Sequence, residues 1–279
     1  MEGHIDDREN NDNIRTKHKW FKLFLIGLAT YAIGLRVLVY TQNPNLFPAV
    51  VMLGNFLIPV TYVAFFYERR RLSSINMTNT SACFFYGGFL GTFAASLLEP
   101  IFIHTFNFRD AMMVGIIEEF AKILGVLVIL RHKKHDMAID GIVLGAAAGM
   151  GFAALESSGY AFTQFLRSGG SLSATVYITM LRGILSPLGH GTWTAILAGV
   201  LFRERKSGFV RFTFNVLIAY AAVVLLHGLW DGIPNLLVNI APSDLAAVVG
   251  EIIVGLTGLI ILFVMWKNAK REARQHLTT

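Results

Sequence analysis

Charged side chains are scarce in this chain. Asp, Glu, Lys and Arg make up 15% of its 279 residues, whereas about a quarter of the residues in a soluble domain are charged. Hydrophobic residues make up 54%, and apolar runs long enough to cross a bilayer recur from end to end. The composition excludes an ordinary soluble domain and predicts an all-α, multi-pass protein of the cell membrane.

Cysteine is nearly absent as well. The single cysteine, Cys83, excludes an intramolecular disulfide and a cysteine-based metal cage. The sequence contains no HExxH motif, so a zincin-type metal site is not supported. Ser157 and Ser158 lack the context of a known nucleophile motif. We therefore expect neither a serine nor a cysteine nucleophile.

The apolar runs predict about eight transmembrane helices. They are expected at residues 21–40, 47–67, 82–104, 111–130, 138–163, 174–200, 211–237 and 247–266. The first run is too long for a signal-peptide core, so we expect it to be retained as a helix. The transmembrane domain is thus expected at 21–266. It lies between a disordered cytoplasmic tail, 1–20, and a basic cytoplasmic tail, 267–279.

Basic residues are confined to alternate connections between these helices. Eighteen Lys and Arg residues lie on one side of the membrane, against Arg109 and Arg167 on the other. The positive-inside rule makes the basic side cytoplasmic, so both termini are expected in the cytoplasm. This arrangement also accounts for the net charge of +6. We therefore expect the lipid bilayer as a partner and no nucleic acid.

Small residues predict where the helices approach closely. Gly141, Gly145 and Gly149 recur every four residues in the fifth predicted helix, and Gly87 and Gly91 share this spacing in the third. Membrane helices use such stripes for backbone-to-backbone packing. A proline in the sixth predicted helix, residue 187, is expected to kink it.

Ionisable residues within the spans are concentrated in four consecutive helices, the fourth to the seventh. They are Glu118, Glu119 and Lys122, then Glu156, then Arg182 and His190, and finally His227 and Asp231. At about 1.5 Å of rise per residue, four of them lie about 10–17 Å below the extracytoplasmic helix ends, so they can meet at one level. These four are Glu118, Glu119, Glu156 and His227. Four further ionisable residues near helix ends are interpreted as snorkelling or interfacial: Arg36, Glu99, His104 and Glu251.

Helical spacing pairs several of these side chains. Lys122 follows Glu118 by four residues and Glu119 by three, so its ammonium can reach at least one carboxylate. One lysine cannot neutralise two carboxylates, so the second needs a proton, a metal or another partner. His227 and Asp231 lie one turn apart. Trp230, and Trp193 in the sixth helix, are interpreted as aromatic packing or interfacial anchors.

This inventory leaves several functions open. Carboxylates could act as general base and general acid in the hydrolysis of an amide bond. Glu, His and Asp side chains could instead bind a divalent metal such as zinc. A chain of intramembrane ionisable groups could also relay protons or ions in a transporter, although the first half of the chain has no matching set. A structural Glu–Lys bridge in a non-catalytic scaffold is a further alternative.

Four motifs in consecutive helices resemble the PrsW family of membrane-embedded proteases. They are EEFAK, FAALESSGY, PLGHGTWTA and HGLWD, which together cover the fourth to seventh helices, about half of the chain. The arrangement is more distantly similar to the CAAX prenyl endopeptidases and their bacterial relatives. This chain departs from the PrsW pattern at two positions: Ile117 replaces a third adjacent glutamate, and Ser157 replaces an asparagine.

The resemblance implies an intramembrane endopeptidase with its catalytic core at 111–237. Its substrates would be single-pass membrane proteins, such as anti-sigma factors, cleaved near the extracytoplasmic face. Glu118 or Glu119 would be the general base or a metal ligand, Glu156 the partner acid, and Asp231 the residue that orients His227. His190 and His227 would stabilise the oxyanion or bind metal, and Lys122, Trp230 and Arg182 would support the site. Whether a metal takes part stays open, with five candidate ligands: Glu118, Glu119, Glu156, His190 and His227.

Overall fold

The computed structural model describes residues 18–70, 73, 75–105, 107–130, 137–205, 209–237 and 244–275. Ten α-helices occupy most of them: α1 Lys19–Thr41, α2 Leu46–Glu68, α3 Met77–Ala82, α4 Gly88–Phe102, α5 Phe108–Leu130, α6 Ala138–Arg167, α7 Leu172–Leu185, α8 His190–Arg203, α9 Phe214–Leu237 and α10 Asp244–Gln275. Most of the predicted N-terminal tail, the last four residues and the basic loop at 131–136 lie outside the described residues.

Each of the eight predicted helical regions is present. Helix α10 continues to Gln275, nine residues beyond its predicted end, so part of the predicted C-terminal tail is helical. Seven helical segments of the described chain are long and apolar enough to cross a membrane, which confirms a polytopic all-α protein. Helix α5 is as long as α1, but its charged side chains keep it out of that set. The cytoplasmic location of both termini stays a prediction.

Two of the predicted helices are interrupted. A π-helical turn, Cys83–Gly87, separates α3 from α4, and a 3₁₀ turn, Ser186–Leu188, separates α7 from α8. The second interruption confirms the predicted kink, because it contains the proline. The first interruption, the π turn, was not predicted from the sequence. The π turn allows a close approach there, since a Cβ on Gly88 would lie 2.5 Å from the backbone of Gly151 in α6.

The glycine stripe of α6 fixes the position of α8. A Cβ atom on Gly141, Gly145 or Gly149 would lie 2.2–2.4 Å from a carbonyl oxygen of α8, so only glycine fits at this distance. The three carbonyls belong to Ala198, Thr194 and His190. The predicted close packing at this stripe is confirmed, and its last contact is with the residue that begins α8.

A second glycine contact positions α5. A Cβ on Gly125 would lie 2.9 Å from the Cα of Gly87, and one on Gly91 would lie 3.6 Å from the Cα of Lys122. The predicted close packing at Gly87 and Gly91 is therefore also confirmed. At the other end of α5, Gly115 lies against the backbone of α9. These contacts hold the charged helix between α4 and α9.

The core of the bundle is formed by α6 and α8. Most residues from 139 to 154 and from 191 to 202 are buried, and α5, α9 and α4 pack around them. Helix α1 is peripheral, since only Tyr31 and Leu38 among its residues are buried. The ionisable residues at depth therefore lie on the inner helices, away from the lipid-facing surface.

Candidate active site

The ammonium of Lys122 lies at the centre of the polar cluster. Its Nζ is 2.8 Å from Oε2 of Glu118 and 2.9 Å from Oε1 of Glu119. It also donates to Nδ1 of His190, 2.8 Å away, and lies 4.0 Å from the ring centre of Phe152. The lysine side chain has no exposed surface. One ammonium thus joins both adjacent carboxylates of α5 to the histidine that begins α8.

Glu119 is enclosed by protein. Its Oε1 accepts from Lys122 and lies 3.0 Å from Nδ1 of His227. Its Oε2 accepts from Oγ1 of Thr194 at 3.1 Å. The sequence analysis missed Thr194, although it lies one helical turn after His190. The carboxylate has no exposed surface, so its contacts orient the ring of His227 and give it no access to a substrate.

The second nitrogen of His227 faces carboxylate oxygens. Nε2 lies 3.3 Å from Oδ2 of Asp231 and 3.6 Å from Oε2 of Glu118. The ring is held by stacking at 4.8 Å against the fully buried Trp193, which in turn contacts Trp230. The interpretation of the two tryptophans as aromatic packing is confirmed by these contacts. The expected contact between His227 and Asp231 is also present.

His190 connects the lysine to a second acidic group. Because an ammonium can only donate, Nδ1 accepts from Lys122, and the ring proton is on Nε2. This nitrogen donates to Oε2 of Glu156 at 3.1 Å. The same oxygen accepts from Nη2 of Arg182 at 2.5 Å, and Nε of Arg182 donates to Ser157 at 3.1 Å. The carboxyl of Glu156 is therefore fixed by one cation and one imidazole.

Two cavities meet at this cluster. The larger, about 600 Å³, lies among helices α4 to α9 and has seven acidic, basic or histidine side chains on its wall. These seven are Glu99, Glu118, Glu156, Arg167, Arg182, His190 and Asp231. The smaller cavity, about 260 Å³, shares four wall residues with it: Arg182, His190, Trp230 and Asp231. His190 therefore lies between two spaces that can hold water or substrate.

Two acidic residues interpreted as interfacial belong to these cavities. Glu99 of α4 is on the wall of the larger one, where its carboxyl group lies against that of Glu118. Glu251 of α10 is on the wall of the smaller one. Distance from a predicted helix end did not indicate that either residue lines a cavity, because it does not tell which face of a helix points inward. The interfacial depth of both stays a prediction.

Three of the five candidate ligands form a group that fits a metal ion. Ligand atoms of Glu118, His190 and His227 lie within 4.8 Å of one another. Two imidazoles and one carboxylate are a known protein donor set for zinc. If His227 donates through Nδ1 to Glu119, the lone pair on its Nε2 faces carboxylate oxygens, which repel it. A metal cation between them, or a second proton on the ring, would remove this repulsion. His190 can join this set only by giving up its contact with Lys122 or with Glu156, because both of its nitrogens already have partners. With that exchange, the donor chemistry fits a divalent metal.

Comparison with known proteins gives two matches. The sequence model of a family described as "PrsW family intramembrane metalloprotease" matches residues 77–266. A protein described as "Protease PrsW" from Oceanobacillus iheyensis is 26% identical over 134 residues, which cover 48% of this chain and 55% of that protein. The aligned part is thus about half the length of this curated relative. No solved structure matches the chain.

Proposed function

Because this chain belongs to the PrsW family of intramembrane metalloproteases, we propose that it is an endopeptidase that hydrolyses a peptide bond within the membrane. The observation that carries the proposal is the convergence of Glu118, Glu156, His190 and Asp231 on one cavity. That cavity is surrounded by apolar helices, an environment suited to an unwound segment of a membrane-spanning polypeptide. The substrates would be single-pass membrane proteins of the anti-sigma-factor type.

The two adjacent glutamates have different roles in this proposal. Glu118 lies on the wall of the cavity and, with His190 and His227, would hold a divalent metal. When bound there, such a metal would polarise a water molecule and the substrate carbonyl. Glu119 has no exposed surface and would position His227. Asp231, which lies on the cavity wall, would also orient the ring of His227.

Glu156 is the proposed proton carrier. Its carboxylate takes a proton from the attacking water as the water oxygen bonds to the carbonyl carbon. It then gives this proton to the amide nitrogen as the carbon–nitrogen bond breaks, which leaves a carboxylic acid and an amine. Arg182, on the wall of the same cavity, holds Glu156 in place. Its guanidinium would also stabilise negative charge on the carbonyl oxygen.

Cleavage of tagged substrates in liposomes tests this proposal. Wild-type protein should cut a single-pass substrate near the extracytoplasmic end of its span. Glu118→Gln and Glu156→Gln should each lower the rate at least about 100-fold, within the range attributed to general acid–base groups. Glu272→Gln is the matched control, because it removes a carboxylate from the far end of α10. Full activity of Glu118→Gln would overturn the proposed site, and a cut at the cytoplasmic end would overturn the proposed position.

Metal content separates the two mechanisms. The purified wild type should retain about one divalent metal per chain, measured by elemental analysis, and a chelator should abolish cleavage reversibly. His227→Ala should lose the metal. Cleavage by a protein shown to be free of metal would overturn the metal part of the proposal and leave water activation to the glutamates. Solute flux without cleavage of any substrate would favour a transporter.

A further inference from the structure

A large apolar groove lies away from the candidate active site, between α1, α2 and α10. Its volume is about 960 Å³, and aromatic side chains form much of its wall, including Trp20, Phe65, Phe263 and Trp266. Three cationic residues, Arg69, Lys267 and Lys270, are also on the wall. No described residue on this wall is acidic. Glu68, next to Arg69 in the chain, accepts from the backbone N–H of Trp20 at 2.6 Å and offsets one of these charges. The groove therefore combines an apolar surface with an excess of positive charge.

The charges and the apolar wall occupy different depths. The wall extends along α2 from Ile58 to Arg69 and along α10 from Leu259 to Lys270. Each segment rises about 16 Å at about 1.5 Å per residue, which is about half of a ~30 Å hydrocarbon core. All three cations lie at the end that the basic connections predict to be cytoplasmic. The groove is thus one leaflet deep.

Aromatic rings hold the three cations at the mouth of the groove. The guanidinium of Arg69 is 3.7 Å from the ring centre of Phe65. Nζ of Lys267 is 4.4 Å from the ring centre of Phe263, and Nζ of Lys270 is 4.8 Å from that of Trp266. Such cation–π contacts stabilise a cation over a ring face. The positive groups are therefore held next to the apolar wall.

We propose that this groove binds one anionic phospholipid of the cytoplasmic leaflet. An acyl chain lies along the aromatic wall, and the phosphate contacts Arg69, Lys267 and Lys270. Basic pockets between membrane helices on the cytoplasmic side bind acidic head groups by the same chemistry. A zwitterionic phospholipid would fill the apolar wall equally well and carries the same phosphate, but the three cations would repel its ammonium group.

A second apolar groove provides an internal comparison. It measures about 240 Å³ and lies among α1, α2 and α7, with Phe24, Leu28 and Tyr31 on its wall. No charged side chain is present among the described residues of that wall. Lipid covering this second groove has no electrostatic reason to prefer an acidic head group. The preference is therefore assigned to the first groove alone.

The deep end of the first groove reaches the turn before His190. Pro187 and Tyr62 are both on its wall. The carbonyl of Pro187 accepts from Oγ1 of Thr192 at 2.6 Å. The hydroxyl oxygen of Tyr62 lies 2.9 Å from the same Oγ1 atom of Thr192. A bound acyl chain would therefore pack against the turn that leads into α8.

Tryptophan quenching by brominated lipids tests the proposal on the full purified chain in a neutral detergent. Phosphatidylglycerol and phosphatidylcholine with the same dibrominated acyl chains are titrated separately. We expect phosphatidylglycerol to quench saturably, with half-saturation at a concentration at least tenfold lower than phosphatidylcholine. Trp266→Phe should reduce the quenched fraction, because this ring is on the groove wall. Equal half-saturation for the two lipids would overturn the proposal.

Two triple variants locate the head-group preference. Arg69→Gln with Lys267→Gln and Lys270→Gln should abolish it. The control triple variant, Arg203→Gln with Arg271→Gln and Arg274→Gln, removes the same charge from exposed residues outside the groove. The control variant should keep the preference for phosphatidylglycerol. Loss of this preference in the control variant would overturn the site, because it would show that acidic lipids are attracted to any positive surface. Lys267→Gln alone, at an exposed position, tests the site if the first triple variant does not fold. It should halve the difference between the logarithms of the two half-saturation concentrations.

Discussion

Replacing Gly149 by alanine should displace His190 from its partners. A Cβ atom at this position would lie 2.2 Å from the carbonyl oxygen of His190 and 2.9 Å from Oγ1 of Thr194. Because Cβ atoms essentially never come closer than 3.0 Å to another heavy atom, the start of α8 must move by at least about 0.8 Å. A misplacement of about 1 Å can lower an enzymatic rate about 100-fold. We expect a loss of that size for Gly149→Ala.

Gly141→Ala separates positioning from stability. Its Cβ would also lie 2.2 Å from a carbonyl oxygen of α8, that of Ala198, so both variants should lose about 1–3 kcal/mol by overpacking. Ala198, however, lies eight residues and about 12 Å along the helix from His190. Gly141→Ala should therefore destabilise equally and slow cleavage much less.

The assay measures two quantities on each variant, the initial rate of cleavage and the temperature of unfolding in detergent. Gly159→Ala serves as a control for stability alone, because the added Cβ meets no atom within 4 Å beyond its own stretch of helix but lies on the wall of the larger cavity. It should gain about 0.4–1 kcal/mol. Equal rate losses for Gly149→Ala and Gly141→Ala, after correction for the folded fraction, would show that Gly149 does not position His190 specifically. They would mean that α8 shifts as a rigid body.

Two further predictions concern α5. Lys122→Met removes the ammonium from between Glu118 and Glu119 and should lower the free energy of unfolding by about 3–5 kcal/mol, since it leaves buried carboxylates without their cation; unfolding in detergent measures this, and wild-type stability would contradict it. Tyr220→Phe removes a hydroxyl that donates to the carbonyl of Ile116 at 2.7 Å, so we expect a loss of about 0.5–1.5 kcal/mol. No change within error would show that this bond between α9 and α5 does not contribute.

The helices themselves follow from hydropathy, but their interruptions follow only in part. Pro187 is a direct sign of a break, because proline removes a donor from a helix. The π turn at 83–87 has no comparable sign: its sequence, CFFYG, contains no proline and continues directly into the apolar helix α4. The turn coincides with the approach of Gly88 to the backbone of α6, a contact between residues far apart in the chain.

The grouping of the site's ionisable side chains was predicted, whereas the different environments of the adjacent glutamates were not. Glu118 and Glu119 occupy equivalent places in one motif, so spacing alone cannot tell them apart. The structure distinguishes them, because Thr194 and His227 enclose Glu119 while Glu118 faces the cavity. The position of Glu99 on the cavity wall was not predicted for a related reason. Its place on the cavity wall depends on how α4 is rotated against α5, which sequence periodicity does not give.

The salt bridges of α5 also bear on how the chain enters the membrane. Lys122 is three and four residues from the carboxylates that it pairs with, so these pairs can form as soon as α5 is helical. One negative charge remains in excess, and the further partners of the Glu119 carboxylate, Thr194 and His227, are 75 and 108 residues later in the chain. During synthesis, α5 must therefore reach the bilayer before the helices that complete its neutralisation exist. Its secure insertion depends on the arrival of α8 and α9, which couples biogenesis of the bundle to assembly of the cluster.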